Sequence, residues 1–332
     1  MMKPKRLLRV GVIGVGSMGQ HHARIYSTLP HAELVGVADH HAERAQTLAD
    51  KYDSQAFTDY SELLRQVEAV SVATQTESHF EIAMKCIEAG IHVLVEKPMA
   101  SSVAEGEELL RSANDRGVKL QVGHVERFNP AVQQLLRVLE NEKPMAIEAR
   151  RLSPPIPRGN DVSVVFDLMS HDIDLALAIA RSPVKTLNCM GVKFNHDNLN
   201  FVNAQLLFQN GMVAILSASK VTERRVRTLD VTCEKAFVEV DLMHKTTTVH
   251  RRSATHYKTE AGQVFMSEQE DSERVYVPNV EPLHDELSAF VGSVLTGEGG
   301  AVSGEAGLEV IRIAEELEKL ALRKRLFQLI DV

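Results

Sequence analysis

Cysteine is scarce: Cys86, Cys189 and Cys233 are the only three among 332 residues. They lie far apart and without metal-ligand spacing, and an odd count fits a reducing compartment rather than a disulfide framework, so buried thiols are expected. No apolar run approaches the length of a membrane span, which excludes a spanning helix from the reading. Positive charge is in deficit, with 37 Lys and Arg against 45 Asp and Glu and a formal net charge of -8. Such a chain has no global field to draw nucleic acid or an anionic membrane, and neither is expected as a partner. Internal repeats and low-complexity tracts are missing too. The basic start Met1-Met2-Lys3-Pro4-Lys5-Arg6 runs into a strand and a glycine turn rather than an apolar signal core, so a cytoplasmic protein is expected.

What is present is an ordinary globular composition, 44% apolar and 25% charged, over a length that suits two domains. The most informative segment is the short strand Arg9-Val10-Gly11-Val12-Ile13, which breaks directly into Gly14-x-Gly16-x-x-Gly19 with Ser17 and Met18 between. A dinucleotide pyrophosphate would sit there. Gly14 makes the tight turn, Gly16 lets the backbone approach the phosphates, Gly19 allows close helix–strand packing, and the helix N-terminus supplies N–H groups. The helix Gln20 to Leu29 and a second buried strand, Glu33 to Ala38, complete the βαβ context and end in Asp39. An acid about 20 residues beyond the last glycine accepts the adenosine ribose hydroxyls. The same carboxylate repels the extra phosphate of NADP, and only His40 and His41 follow it, so NAD is expected in preference to NADP.

Strands and helices keep alternating as far as Lys119 to Gly123, which predicts a doubly wound parallel sheet in an α/β domain over residues 1–124. Gly90 and Gly117 read as helix stops. Beyond residue 124 the grammar changes. Helices are expected at Pro130 to Glu140 and at about Val165 to Ala180, around a loop containing Pro154, Pro155, Pro157 and Gly159. Strands then dominate from Val184 to Arg251, with a last segment at Arg274 to Pro278, and read as an antiparallel sheet. Residues 253–273 are polar and are expected to form a mobile insertion. Two helices, Pro282 to Thr296 and Gly304 to Lys324, close the chain, with Ser303 as the N-cap of the second.

Two constellations carry chemistry. The strand Ile91 to Val95 delivers Glu96-Lys97-Pro98 at its carboxyl end, the edge where ligands lie in open α/β sheets. Lys97 there is a cation that hydrogen-bonds a reacting hydroxyl and passes a proton on; Pro98 is a candidate for a cis bond. In Asp167-Leu168-Met169-Ser170-His171, a helix would place Asp167 and His171 at i and i+4 on one face, a carboxylate beside an imidazole base. The adjacent pairs His21-His22 and His40-His41 make poor chelates, and no metal is expected.

Together these residues, with Ala73-Thr74-Gln75-Thr76-Glu77-Ser78-His79, resemble the Gfo/Idh/MocA oxidoreductases over essentially the whole chain. The resemblance implies an N-terminal Rossmann domain and, over residues 125–332, a C-terminal α+β domain with a large open, mainly antiparallel sheet that binds substrate and supports oligomerisation. It implies a catalytic set of Lys97, Asp167 and His171. Gly14, Gly16, Ser17, Met18, Gly19, Asp39, Glu96 and Lys97 would hold NAD, with Thr74, Thr76 and His79 on the nicotinamide side. Gln75 departs from the proline that many members carry.

Val122 to Pro130, Asp167 to Leu175 and Ser219 to Val231 look like the family's nucleotide-sugar branch, similar to UDP-N-acetylglucosamine 3-dehydrogenases. That implies substrate contacts from Lys97, His124, Arg127, Arg150, Arg158 and His171. Arg150, Arg151, Arg158, Arg224, Arg225 and Arg227 supply local cations for a diphosphate. The expected reaction takes hydride from a carbinol carbon, with the hydroxyl proton passing to His171 directly or through Lys97. The alternatives are a dehydrogenase of a free cyclitol or aldose, and a non-catalytic NAD-binding sensor. The open sheet predicts a homodimer or homotetramer packed sheet to sheet.

Overall fold

The computed structural model describes residues 6–155, 162–194, 198–258, 264–300 and 302–323, with the backbone alone at 253–258 and 264–270. Two compact units divide the chain: Met1–Phe128 with Val280–Glu315, and Asn129–Asn279 with Glu316–Val332. A single boundary after residue 124 is therefore not what the structure has, because Val280–Glu315 returns to the first unit.

The first unit carries β1 (Leu8–Ile13), β2 (Ala32–Ala38), β3 (Gln55–Phe57), β4 (Ala69–Val72), β5 (His92–Glu96) and β6 (Leu120–Gly123). Every pairing is parallel, in the order β3-β2-β1-β4-β5-β6. Strand direction of growth reverses between β1 and β4, which opens a crevice at their carboxyl ends. β4 and β6 are buried at every position, as the near-continuous apolar runs of a sheet covered on both faces require. The connecting helices are α1 (Ser17–Tyr26), α2 (Ala42–Lys51), α3 (Tyr60–Leu64), α4 (Thr76–Glu88) and α5 (Val103–Arg116). Ser102 caps α5 by accepting the Glu105 N–H, and Gly117 ends it with φ 66°.

In the second unit, α6 (Pro130–Val138), β7 (Pro144–Leu152), α7 (Ser170–Ala180), β8 (Val184–Val192), β9 (Phe201–Phe208), β10 (Val213–Ser219), β11 (Val226–Cys233), β12 (Phe237–Asp241), β13 (Thr246–Lys258) and β14 (Val264–Val275) follow one another. Their eight-stranded sheet has the order β14-β13-β12-β11-β7-β10-β9-β8. It is antiparallel apart from the parallel pair β7 and β10. One face buries Val202, Ala204 and Leu206 of β9, Ala214, Leu216 and Ala218 of β10, and Ile147 and Ala149 of β7. The other exposes Met190, Val213 and Phe237. Alternation with period two produces both faces from the same strands.

Two expectations are corrected here. Within the segment expected as a mobile insertion, 253–273, residues 253–258 and 264–273 are strand: β13 and β14 pair in register from Thr247↔Val275 to Lys258↔Val264, and 259–263 lie outside the described residues. The segment lacks an apolar alternation, so the backbone ladder that forms it left no signal in the sequence. The helix expected from Val165 to Ala180 begins instead with a π-turn over Val165–Met169 before α7 starts.

The last helices, α8 (Pro282–Thr296) and α9 (Gly304–Arg323), explain the return of the chain. α8 brings Leu283, Leu287, Phe290 and Val291 into one cluster with Val10, Val12, Ala23 and Tyr26. Val302, Leu308 and Ile311 join Met99, Leu109 and Val122 in the other. Ser303 Oγ accepts the Ala306 N–H, as the N-cap reading predicts. Among the described residues no helix is long and apolar enough to cross a membrane. Phe290 is fully buried, so Phe290→Ala is expected to destabilise the first unit by about 3–5 kcal/mol in urea unfolding.

Candidate active site

The first cluster of candidate residues is built on the β1 turn. Gly14 has φ 86°, its N–H donates to Ala38 O at 2.8 Å, and a Cβ there would lie 2.7 Å from Thr74 Cγ2. At Gly19 a Cβ would fall 1.8 Å from Gly14 O, so α1 can approach β1 only because position 19 has no side chain. Gly16 has nothing within 4 Å of its Cβ position. That open space lies beside the start of α1, which has no side-chain cap and no acid in its first turn. The cradle fits a pyrophosphate, which would take the uncapped N–H groups.

A cleft of about 730 Å³ runs from this turn past Ser17, Met18, Asp39, Thr74, Thr76 and His79 to Glu96 and Lys97. Asp39 closes one end. Its Oδ2 accepts the Val15 N–H and its Oδ1 the His41 N–H, each at 2.9 Å, which fixes the carboxylate at the tip of β2. Arg44, on α2, lines the same end and was not singled out from the sequence. Its signal is one α-helical turn away from His40 and His41. His79 is buried, with Nδ1 2.8 Å from Pro98 O and Nε2 3.1 Å from Thr74 O. The ring thereby braces the two loops that form the cleft's opposite end.

Glu96 and Lys97 follow from β5, and the Lys97–Pro98 peptide is cis. Glu96 is 9% exposed, with Oε1 2.9 Å from Nε2 of the fully buried His22 on α1. Its Oε2 accepts the Lys97 N–H at 3.3 Å. Burial by itself would push the Glu96 carboxyl up; the His22 hydrogen bond, the charges of His22 and Lys97 and the Lys97 N–H outweigh it and hold the group below the usual carboxylate range. Glu96 therefore lines the cleft while its Oε1 turns to α1. His124, after β6, is 2% exposed, and Arg127 is half-buried on the 3-10 turn Val125–Phe128.

The second unit holds the other cluster. Asp167 lies in the π-turn, and its Oδ2 is 2.8 Å from Lys220 Nζ. Lys220 Nζ also donates to Val162 O at 2.8 Å. His171 is half-buried in the first turn of α7. Asp172, its neighbour, is locked by Arg151, whose Nη2 and Nε lie 2.8 and 3.0 Å from Oδ1, with both side chains 2% exposed.

Lys220 was missed, although the alternation showed it: it falls in phase with the buried Ala214, Leu216 and Ala218. Arg151 falls in phase with Ile147 and Ala149 in the same way. Its guanidinium is committed to Asp172, so it is not the diphosphate cation it was expected to be. Arg150 is exposed on the opposite face of the sheet from α7. Arg224 and Arg225 are exposed, Arg227 is half-buried, and Arg158 lies outside the described residues.

A phosphate cradle on a parallel sheet, with a ribose-type acid and an amine-bearing strand end along one cleft, is the architecture of a nicotinamide-dependent oxidoreductase. Comparison with known proteins gives the class a name. A family profile described as "Oxidoreductase family, NAD-binding Rossmann fold" matches residues 8–124, and one described as "GFO/IDH/MocA C-terminal domain" matches residues 147–239. UDP-N-acetylglucosamine 3-dehydrogenase of Acidithiobacillus ferrooxidans is 36% identical over 247 residues, 74% of this chain and 78% of that protein. A solved structure of UDP-N-acetylglucosamine 3-dehydrogenase from the same organism matches with a TM-score of 0.87 at 32% identity, over 96% of this chain and 99% of that one. Myo-inositol 2-dehydrogenase of Thermotoga maritima is 26% identical over 345 residues, 98% of this chain and 99% of that protein. The chain belongs to the Gfo/Idh/MocA oxidoreductase family.

The lowered Glu96 carboxyl has a consequence for stability. Its contribution is fully present above the ordinary glutamate pKa, about 4.3, and is lost as pH falls through the lowered folded value. Glu96→Gln is expected to be less stable than wild type near neutral pH, with the gap closing under acid conditions, as read by urea unfolding at stepped pH.

Proposed function

We propose that this oxidoreductase uses NAD to oxidise a secondary hydroxyl of a nucleotide sugar, a UDP-N-acetylglucosamine-type substrate, to a ketone. The observation that carries the reading is Lys97, at the carboxyl end of β5 and in the cleft that holds the glycine turn and Asp39. The likeness to the UDP-N-acetylglucosamine 3-dehydrogenase supports the substrate. When bound, the nicotinamide accepts the hydride from the carbinol carbon. Lys97 supplies an ammonium that stabilises alkoxide character at the hydroxyl oxygen. His171 takes the hydroxyl proton, directly or through Lys97, and Asp167 belongs to the same set. Asp39 receives the adenosine ribose hydroxyls, and its charge disfavours a 2′-phosphate. The exposed apolar side chains of the open sheet face support a homodimer or homotetramer through that face.

Purified protein with NAD and a panel of UDP-N-acetylglucosamine, UDP-glucose, myo-inositol and glucose is expected to form NADH on a UDP-sugar alone. Lys97→Met is expected to lower kcat by about 100-fold or more while NAD affinity stays near wild type. Turnover of myo-inositol or glucose alone would move the enzyme to free polyols, and NAD binding without turnover on any compound would make it a sensor. Asp39→Ser is expected to weaken NAD binding by about tenfold or more, the loss of a hydrogen bond to a charged group, and to narrow the preference over NADP, read by fluorescence titration of both cofactors. An unchanged preference would remove Asp39 from that role.

A further inference from the structure

The π-turn Val165–Met169 is a rare backbone form that concentrates at functional sites. It holds more residues per turn than an α-helix, so the angle between Asp167 and His171 about the axis differs from that of an unbroken α-helix. Such a turn persists only when its surroundings over-determine it. The chain meets two cations there. Lys220, 6% exposed, follows β10 and contacts Val162 O ahead of the π-turn and Asp167 Oδ2 within it, each at 2.8 Å. Arg151, near the end of β7, holds Asp172 just beyond it. β7 and β10 are the parallel pair of the sheet, and the register Ser219↔Leu152 brings both cations to one end. His171 thus lies on a segment clamped on both sides.

We propose that Lys220 is a positioning residue of the dehydrogenase reaction: by clasping the Val162 carbonyl and the Asp167 carboxylate it holds the π-turn, and through it the orientation of the His171 imidazole. This rests on the reading of His171 as the proton acceptor. The two clamps differ in what their loss does. Asp172 is buried and would be stranded without Arg151, whereas the Asp167 side chain is 41% exposed and takes up water when Lys220 is removed.

The test compares Lys220→Met with Lys220→Arg, using His171→Gln to assign the His171 signal. Lys220→Gln, which keeps a neutral donor, replaces the methionine variant if that fails to fold by circular dichroism. The His171 ring resonances are expected to shift in the neutral variant and return toward wild type in Lys220→Arg; unmoved resonances overturn the proposal, whatever the substrate proves to be. In turnover, kcat is expected to fall by about 10- to 100-fold, with substrate KM and NAD affinity unchanged and the arginine restoring part of the rate. An unaltered kcat, or a loss confined to KM, overturns it as well. Wild-type turnover by His171→Gln would instead overturn the reading of His171 as the acceptor, and with it the catalytic purpose assigned to Lys220.

Discussion

Two of the candidate catalytic residues, Lys97 and His171, are each next in the chain to a carboxylate that is buried and paired across elements. Glu96 precedes Lys97 and meets His22 of α1; Asp172 follows His171 and meets Arg151 of β7. A carboxylate taken out of water has to find a hydrogen-bonding partner, at a cost of several kcal/mol otherwise, so the element carrying that partner is held to hydrogen-bond geometry. In the first unit the constraint ties α1, which begins the phosphate cradle, to the strand end that carries Lys97. In the second it ties α7 to the sheet. Neighbours in sequence inherit the precision.

Buried pairs of this kind are poor sources of stability, since apolar residues of the same volume serve as well or better. Direction is what they supply. The bulk of the cohesion comes from the two apolar clusters of the first unit and the covered face of the second unit's sheet. The clusters also explain why the end of the chain returns: without Leu287, Phe290, Leu308 and Ile311 the parallel sheet would expose part of both faces. A parallel sheet needs cover on both sides, and here residues far away in sequence provide some of it.

A strand that alternates apolar and polar residues distributes its polar side chains between the two faces, and the exceptions mark the site. Arg150 and Arg151 are neighbours with opposite fates, one exposed on the open face and one locked to α7. Lys220 continues the buried phase of β10 and so arrives under α7. Composition makes such residues look interchangeable, as scattered cations facing an anionic substrate. Parity separates them.

The sequence by itself determined the Rossmann unit down to its working parts. The glycine spacing, Asp39, the strand-end Glu96-Lys97-Pro98 and the helix stops at Gly90 and Gly117 are local features, because each follows from steric limits or hydrogen bonds within a few residues. The mainly antiparallel character of the second sheet was legible for the same reason. Only the tertiary structure decided the π-turn, the pairing of Asp167 with Lys220, the commitment of Arg151 to Asp172, the long β13–β14 pairing and the return of α8 to the first unit. Each depends on a partner distant in sequence, and one chain read alone gives the periodicity of a segment but not the identity of what covers it.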